Sequence, residues 1–126
     1  MSAQSRPKFL NLLKIRLPIT GIVSILHRVS GVIMILAIPS SIFFFDQSLK
    51  NAEGFRFAQS AMDNPIVLFV VLVVVWALSH HLFAGIRFLL FDLDVAVSKA
   101  RARLAATLVM IFSLAFLAWV ISEWLL

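Results

Sequence analysis

Two groups of polar residues lie within apolar stretches of the sequence. One comprises Ser24, His27 and Arg28, and the other comprises His80, His81 and Arg87. On a helix, the spacing of the first group puts all three side chains on one stripe. An arginine in lipid is costly unless it reaches the interface or has a partner. One interpretation is that Arg28 extends to the membrane interface and its neighbours have no special role. The other is that the stripe lines a polar pocket, and the serine and histidine on the same stripe favour the pocket.

His81 of the second group lies deep within its apolar segment. It precedes Asp92 by about ten residues, so on a helix its imidazole lies roughly 15 Å from that end. A histidine at this depth can be held by one hydrogen bond to a neighbouring helix, can relay protons, or can ligate a metal or haem iron. Gly85, one turn further on, permits close approach of either a flat macrocycle or another helix.

The chain cannot supply two opposed histidine ligands to one iron from this segment. His80 and His81 point about 100° apart on a helix, and no other histidine lies at the same depth. A six-coordinate haem would therefore need its second ligand from another chain. His27 lies too close to the end of its segment for an axial ligand, but His27 and Arg28 suit carboxylates such as haem propionates.

Composition indicates that lipid is the solvent of the elements carrying these residues. Of the 126 residues, 62% are hydrophobic and 13% are charged. Three apolar runs, at about 21–45, 65–91 and 104–126, each reach the roughly 20 residues that a membrane-spanning helix needs. Helices satisfy the backbone within lipid, whereas open strands do not. We therefore predict an all-α integral membrane protein, a single domain over 1–126 with three transmembrane helices running up-down-up.

Charge predicts the orientation of these helices. The basic residues concentrate before the first run and between the second and third, so the positive-inside rule puts the amino terminus in the cytoplasm and the carboxyl terminus in the periplasm. Membrane orientation explains the formal charge of +5 better than nucleic-acid binding does. The sequence contains no cysteine, which excludes disulfides, iron–sulfur ligation and covalent haem attachment by this chain.

The order of these motifs resembles one family along essentially the whole chain. The motifs are IRLPIT at 15–20, SILHRVSG at 24–31, and His-x-x-x-Gly-x-Arg formed by His81, Gly85 and Arg87. The chain resembles the cytochrome b subunit, the C-type membrane anchor, of bacterial succinate dehydrogenase, respiratory complex II. Many relatives carry a second histidine directly after Gly-x-Arg, where this chain has Phe88. That difference puts a propionate contact from this helix in doubt, but not the axial ligand.

The resemblance implies a role for each candidate residue. His81 is the axial ligand to a b-type haem shared with a second anchor subunit, and His27 and Arg28 contact its propionates. Ser24 hydrogen-bonds a ubiquinone carbonyl, and Arg28 stabilises charge on the reduced quinone. The chain then anchors the flavoprotein and iron–sulfur subunits, which alone hold FAD and the clusters, in the bacterial inner membrane. It has no catalysis of its own but forms part of the quinone-reduction site near the cytoplasmic face.

Three alternatives stay open from the sequence. The chain can be a fumarate reductase anchor working in the opposite direction, a structural anchor with a vestigial haem site, or a small proton-conducting subunit. The last fits poorly, because no acidic residue is paired with the histidines within the membrane. The roles of His80 and Asp92 are also open, since a carboxylate at a helix end is as consistent with solvation as with ion pairing.

Overall fold

The computed structural model describes residues 17–95 and 97–125, and these residues form an all-α structure. Its helices are α1 (Ile19–Lys50), α2 (Ala52–Ala61), α3 (Pro65–Asp92) and α4 (Lys99–Leu125). The basic segment used to predict orientation, at 1–16, lies outside the described residues, as does Leu126.

Helices α1, α3 and α4 are the three membrane-spanning candidates. By length and composition the spans are Ile19–Lys50, Pro65–Asp92 and Lys99–Trp124. The prediction of an all-α chain with three apolar helices is confirmed. The helices begin earlier or end later than the predicted runs, because the boundaries of an apolar run do not mark where backbone hydrogen bonding stops. The up-down-up orientation, the pairing with a second anchor and the single-domain division stay predictions.

Helix α2 lies within 46–64, between the first two apolar runs, where the sequence predicts no helix. Asn51 breaks α1 by taking an extended conformation, and its side-chain Oδ1 accepts a hydrogen bond from the Gly54 backbone N–H at 2.8 Å. This cap starts a new helix at once. Gly54 is required there, because a Cβ at that position would overlap the backbone carbonyl of Gln47 in α1.

Local signals in the sequence account for both ends of α3. Asn64 caps its start by accepting the Ile66 N–H at 2.9 Å, and Pro65 occupies the first turn, where its missing N–H costs nothing. At the other end, Asp94 adopts a left-handed backbone with a φ of 57°. The Asp94 and Val95 N–H groups then bond back to the carbonyls of α3 and close its last turn.

The three long helices pack most closely where α1 begins, α3 ends and α4 begins. The buried core there consists of Val23, Ala84, Ala106 and Val109. Two alanines in the contact let the helix backbones approach, as is common between membrane helices. Most large apolar side chains elsewhere stay exposed. Lipid or other subunits are therefore needed to cover them, and the polar candidates lie beside the small internal core.

Candidate functional site

His81 projects from α3 onto α1 and is held there by the backbone of another candidate residue. Its Nδ1 lies 3.1 Å from the backbone carbonyl oxygen of His27. The same Nδ1 lies 3.2 Å from the hydroxyl of Ser30, and that hydroxyl donates to the His27 carbonyl at 2.8 Å. The imidazole is thus attached at one nitrogen to one turn of α1.

This hydrogen bonding assigns the tautomer of His81. A carbonyl oxygen can only accept, so the Nδ1 atom facing it must carry the hydrogen. In the neutral imidazole the lone pair then lies on Nε2. Among the described residues Nε2 of His81 makes no hydrogen bond, and this basic nitrogen is free for an electrophile such as a metal ion.

The His27 ring forms a stacked pair with the His81 ring and also contacts Phe88. It lies parallel to the His81 ring, with centroids 4.1 Å apart and an interplanar angle of 18°. Phe88 packs near His27 with a centroid distance of 5.2 Å. The structure therefore brings together two predicted histidines, and it places Phe88 against His27 rather than leaving that position free for a polar contact.

Two glycines border the stack. A Cβ at Gly31 would lie 3.2 Å from Cε1 of His81, closer than an ordinary carbon–carbon contact. A Cβ at Gly85 would lie 3.8 Å from Nε2 of His27, an ordinary distance. The absence of a side chain at Gly31 therefore leaves space for the His81 ring, whereas Gly85 faces the His27 ring across the α1–α3 contact.

Ser24 and Arg28 lie on α1 beside this arrangement. Arg28 is exposed and Ser24 is half-buried. Neither side chain makes a hydrogen bond or an ion pair with another residue in 17–95 or 97–125. Their spacing of four residues puts both on one stripe of the helix. Because neither has a partner among the described residues, both polar groups are available to a ligand or another subunit.

His80 faces a different helix from His81 and is fully buried. Its Nδ1 lies 3.4 Å from the Ser113 hydroxyl of α4, and its ring stacks on Trp76 with centroids 5.4 Å apart. Its Nε2 has no hydrogen-bond partner among the described residues. These contacts put His80 in the packing of α3 against α4.

Arg87 and Asp92 lie near the end of α3. Arg87 is buried, and its guanidinium carbon lies 4.5 Å above the Phe91 ring and 5.4 Å from the Phe88 ring. Cation–π contact offsets part of the cost of burying this charge. Asp92 is exposed and forms no ion pair within the described ranges, which is consistent with a solvated carboxylate.

Two residues of this arrangement have no role in the sequence interpretation. Ser30 and Gly31 follow His27 and Arg28 after one intervening residue, Val29, and Ser30 is fully buried. The sequence did contain a signal for Ser30, because this residue lies three positions after His27 and so shares its face of a helix. The contact of Ser30 with His81 spans 51 residues of sequence and depends on how α1 packs on α3.

Comparison with known proteins decides the family of the chain. Residues 2–121 match the family described as succinate dehydrogenase/fumarate reductase transmembrane subunit. The chain belongs to this family. A succinate dehydrogenase cytochrome b556 subunit of Coxiella burnetii is 34% identical over 109 residues, covering 86% of this chain and 87% of that protein. A protein of the same name from Paracoccus denitrificans is 25% identical over 112 residues, covering 84% and 86%.

The resemblance drawn from the sequence motifs is therefore confirmed. The chain is a membrane subunit of the succinate dehydrogenase cytochrome b type, and such a subunit works within an oxidoreductase complex alongside other subunits. The family is a transmembrane family, in agreement with the three long apolar helices.

Proposed function

We propose that this chain is a haem- and quinone-binding anchor subunit of a bacterial succinate:quinone oxidoreductase. His81 ligates the iron of a b-type haem shared with a second anchor subunit. The observation that carries the proposal is the contact of 3.1 Å between His81 Nδ1 and the His27 carbonyl. Both relatives are named cytochrome b556 subunits, which supports the same cofactor here.

The residues present fit such a haem. An iron-ligating histidine ordinarily donates its other ring N–H to a carbonyl or carboxylate, which fixes the ring and raises its basicity. His81 has this arrangement before any ligand is added. When bound, the haem supplies a one-electron store that can exchange electrons with the quinone site. The protein contributes an oriented lone pair on Nε2.

The second axial ligand must come from another subunit if it is a histidine. The chain has three histidines. His80 is buried against α4, and His27 is stacked face to face on His81. His27 and His81 lie side by side, so together they would not hold one iron from opposite sides. A second anchor subunit is therefore part of the proposal.

His27 and Arg28 are the groups that we assign to the haem propionates. The His27 ring lies against the His81 ring, so it would be close to a macrocycle bound at Nε2. Arg28 follows on the exposed side of α1 and carries a charge with no partner in the described ranges. A guanidinium pairs strongly with carboxylates through parallel hydrogen bonds.

Ser24 and Arg28 are the groups that we assign to ubiquinone. The Ser24 hydroxyl can donate to a quinone carbonyl oxygen, and Arg28 stabilises the negative charge that develops as electrons arrive. A quinone tail stays in lipid, and the exposure of Arg28 is consistent with a pocket that opens sideways. The flavoprotein and iron–sulfur subunits, with FAD and iron–sulfur clusters, would oxidise succinate and deliver the electrons.

The proposed membrane is the bacterial inner membrane, with the amino terminus in the cytoplasm and the carboxyl terminus in the periplasm. The concentration of basic residues in 1–16 and 99–103 supports this orientation. In that orientation the quinone site lies near the cytoplasmic face. The anchor of a fumarate reductase is the second candidate, because the matched family covers both enzymes.

The axial ligand is tested on the purified complex by a reduced-minus-oxidised absorbance spectrum. We expect His81→Ala to remove the b-type bands while the complex still assembles. His80→Asn is the matched control, because it changes the neighbouring histidine and keeps a hydrogen-bonding group near Ser113, and we expect it to retain the bands. A wild-type complex without b-type bands would eliminate the haem and leave a structural anchor.

The quinone assignment is tested by comparing two electron acceptors. We expect Arg28→Leu to reduce quinone reductase activity strongly and to spare succinate oxidation by an artificial soluble dye, because the dye takes its electrons before the quinone site. Equal loss of both activities would assign Arg28 to assembly of the complex instead.

A further inference from the structure

We infer that Ser30 is a positioning residue that orients the His81 imidazole toward the haem iron. The inference rests on the proposed haem ligation by His81 and extends it to a residue without an assigned role. Ser30 acts through hydrogen bonds to the ligand and to the backbone that holds the ligand, and it does not itself reach the iron.

The geometry is a triangle of three polar atoms at the α1–α3 contact. The Ser30 hydroxyl donates to the His27 carbonyl at 2.8 Å and lies 3.2 Å from His81 Nδ1. The third side is the contact of 3.1 Å between His81 Nδ1 and the same carbonyl. Ser30 is fully buried, so water does not replace these bonds when the hydroxyl is removed.

The direction of each hydrogen bond follows from what the atoms can do. The carbonyl only accepts, so the His81 N–H and the Ser30 O–H both point at it. The Ser30 oxygen keeps lone pairs toward the His81 N–H and offers it a second acceptor. A ring N–H between two fixed acceptors has one preferred rotation about the Cβ–Cγ bond, whereas one acceptor alone leaves a wider range.

Steric contacts support the same conclusion. The His81 ring packs over Gly31 on one part of its edge and against the His27 ring on its face. These contacts limit how far the ring moves but do not select its rotation as a directional bond does. Ser30 therefore adds angular restraint to a ring that packing already confines.

The test compares Ser30→Ala with Ser40→Ala in the purified complex. Ser40 is the matched control, because its hydroxyl makes the same kind of bond on the same helix, to the Ala37 carbonyl at 2.9 Å, but in an exposed position. Two readouts are used: the electron paramagnetic resonance signal of the ferric haem, which depends on the rotation of the axial imidazole planes, and the rate of haem transfer to excess apomyoglobin.

We expect Ser30→Ala to shift or broaden the resonance signal and to accelerate haem loss by about tenfold, the lower end of the effect of removing an outer partner of a metal ligand. Ser40→Ala should match the wild type in both. If Ser30→Ala retains haem with an unchanged signal and rate, the inference is overturned while ligation by His81 stands. If the wild type has no ferric haem signal, the proposed function itself fails.

Discussion

The substitution Gly31→Ala tests the packing of His81 with the smallest possible change. The added Cβ would lie 3.2 Å from Cε1 and 3.6 Å from Nδ1 of the imidazole. Carbon atoms in good contact are about 3.5–4.0 Å apart, so the ring must move by a few tenths of an ångström. It cannot move freely, because its Nδ1 is hydrogen-bonded to the turn of α1 that carries Gly31.

Overpacking of a closely packed site by one methyl group costs about 1–3 kcal/mol. Alanine also favours a helix over glycine by about 1 kcal/mol, but that gain applies with and without haem and cancels in haem affinity. Without haem the His81 ring can shift away from the added methyl group, whereas a His81 that ligates iron would have to keep its position, so the strain falls mainly on the haem-bound state. We therefore expect haem binding to weaken by about 5–150-fold.

The assay is the rate of haem transfer from the detergent-purified complex to excess apomyoglobin, with dye-linked succinate oxidation as the check that the complex is intact. Gly21→Ala is the matched control, because its Cβ would lie 3.7 Å from the nearest atom, on Pro18, the residue that precedes α1. We expect the control to release haem at the wild-type rate. If Gly31→Ala releases haem as slowly as Gly21→Ala does, the close contact with His81 is not a constraint on the ligand.

Three further substitutions test other parts of the structure. Gly85→Ala should leave the complex assembled, because its Cβ would lie at an ordinary contact distance of 3.8 Å from Nε2 of His27. Faster haem loss is expected if the macrocycle lies against α3. An unchanged rate of haem loss would assign Gly85 to helix packing alone. Ser113→Ala removes the hydroxyl that lies 3.4 Å from His80 Nδ1 and should lower the free energy of unfolding by about 1 kcal/mol. The expected observation is a lower thermal midpoint with unchanged haem bands. Loss of the bands would contradict a purely packing role for His80. Gly54→Ala should displace α2 from the end of α1 and accelerate proteolysis between α1 and α3, and wild-type resistance would exclude the close backbone contact.

Much of the candidate site could be predicted from local spacing. The stripe of Ser24, His27 and Arg28 follows from helical geometry, and so does the divergence of His80 from His81. These relations stay within one helix, where 3.6 residues per turn determine which side chains are neighbours. The helix α2 was not predicted, although Asn51 is a local capping signal, because its ten residues are only weakly apolar and lack the long apolar run that indicates the other helices.

The sequence by itself determined that the chain is a membrane protein of this family with three long apolar helices. Lipid offers the backbone no hydrogen bonds, so long apolar runs must form helices whatever their neighbours are. Only the tertiary structure decided that His81 faces α1, that His80 faces α4, and that Ser30 and Gly31 form the surroundings of the His81 ring. Two side chains that diverge on one helix acquire different surroundings only when other helices pack beside them, and that packing joins residues 51 positions apart.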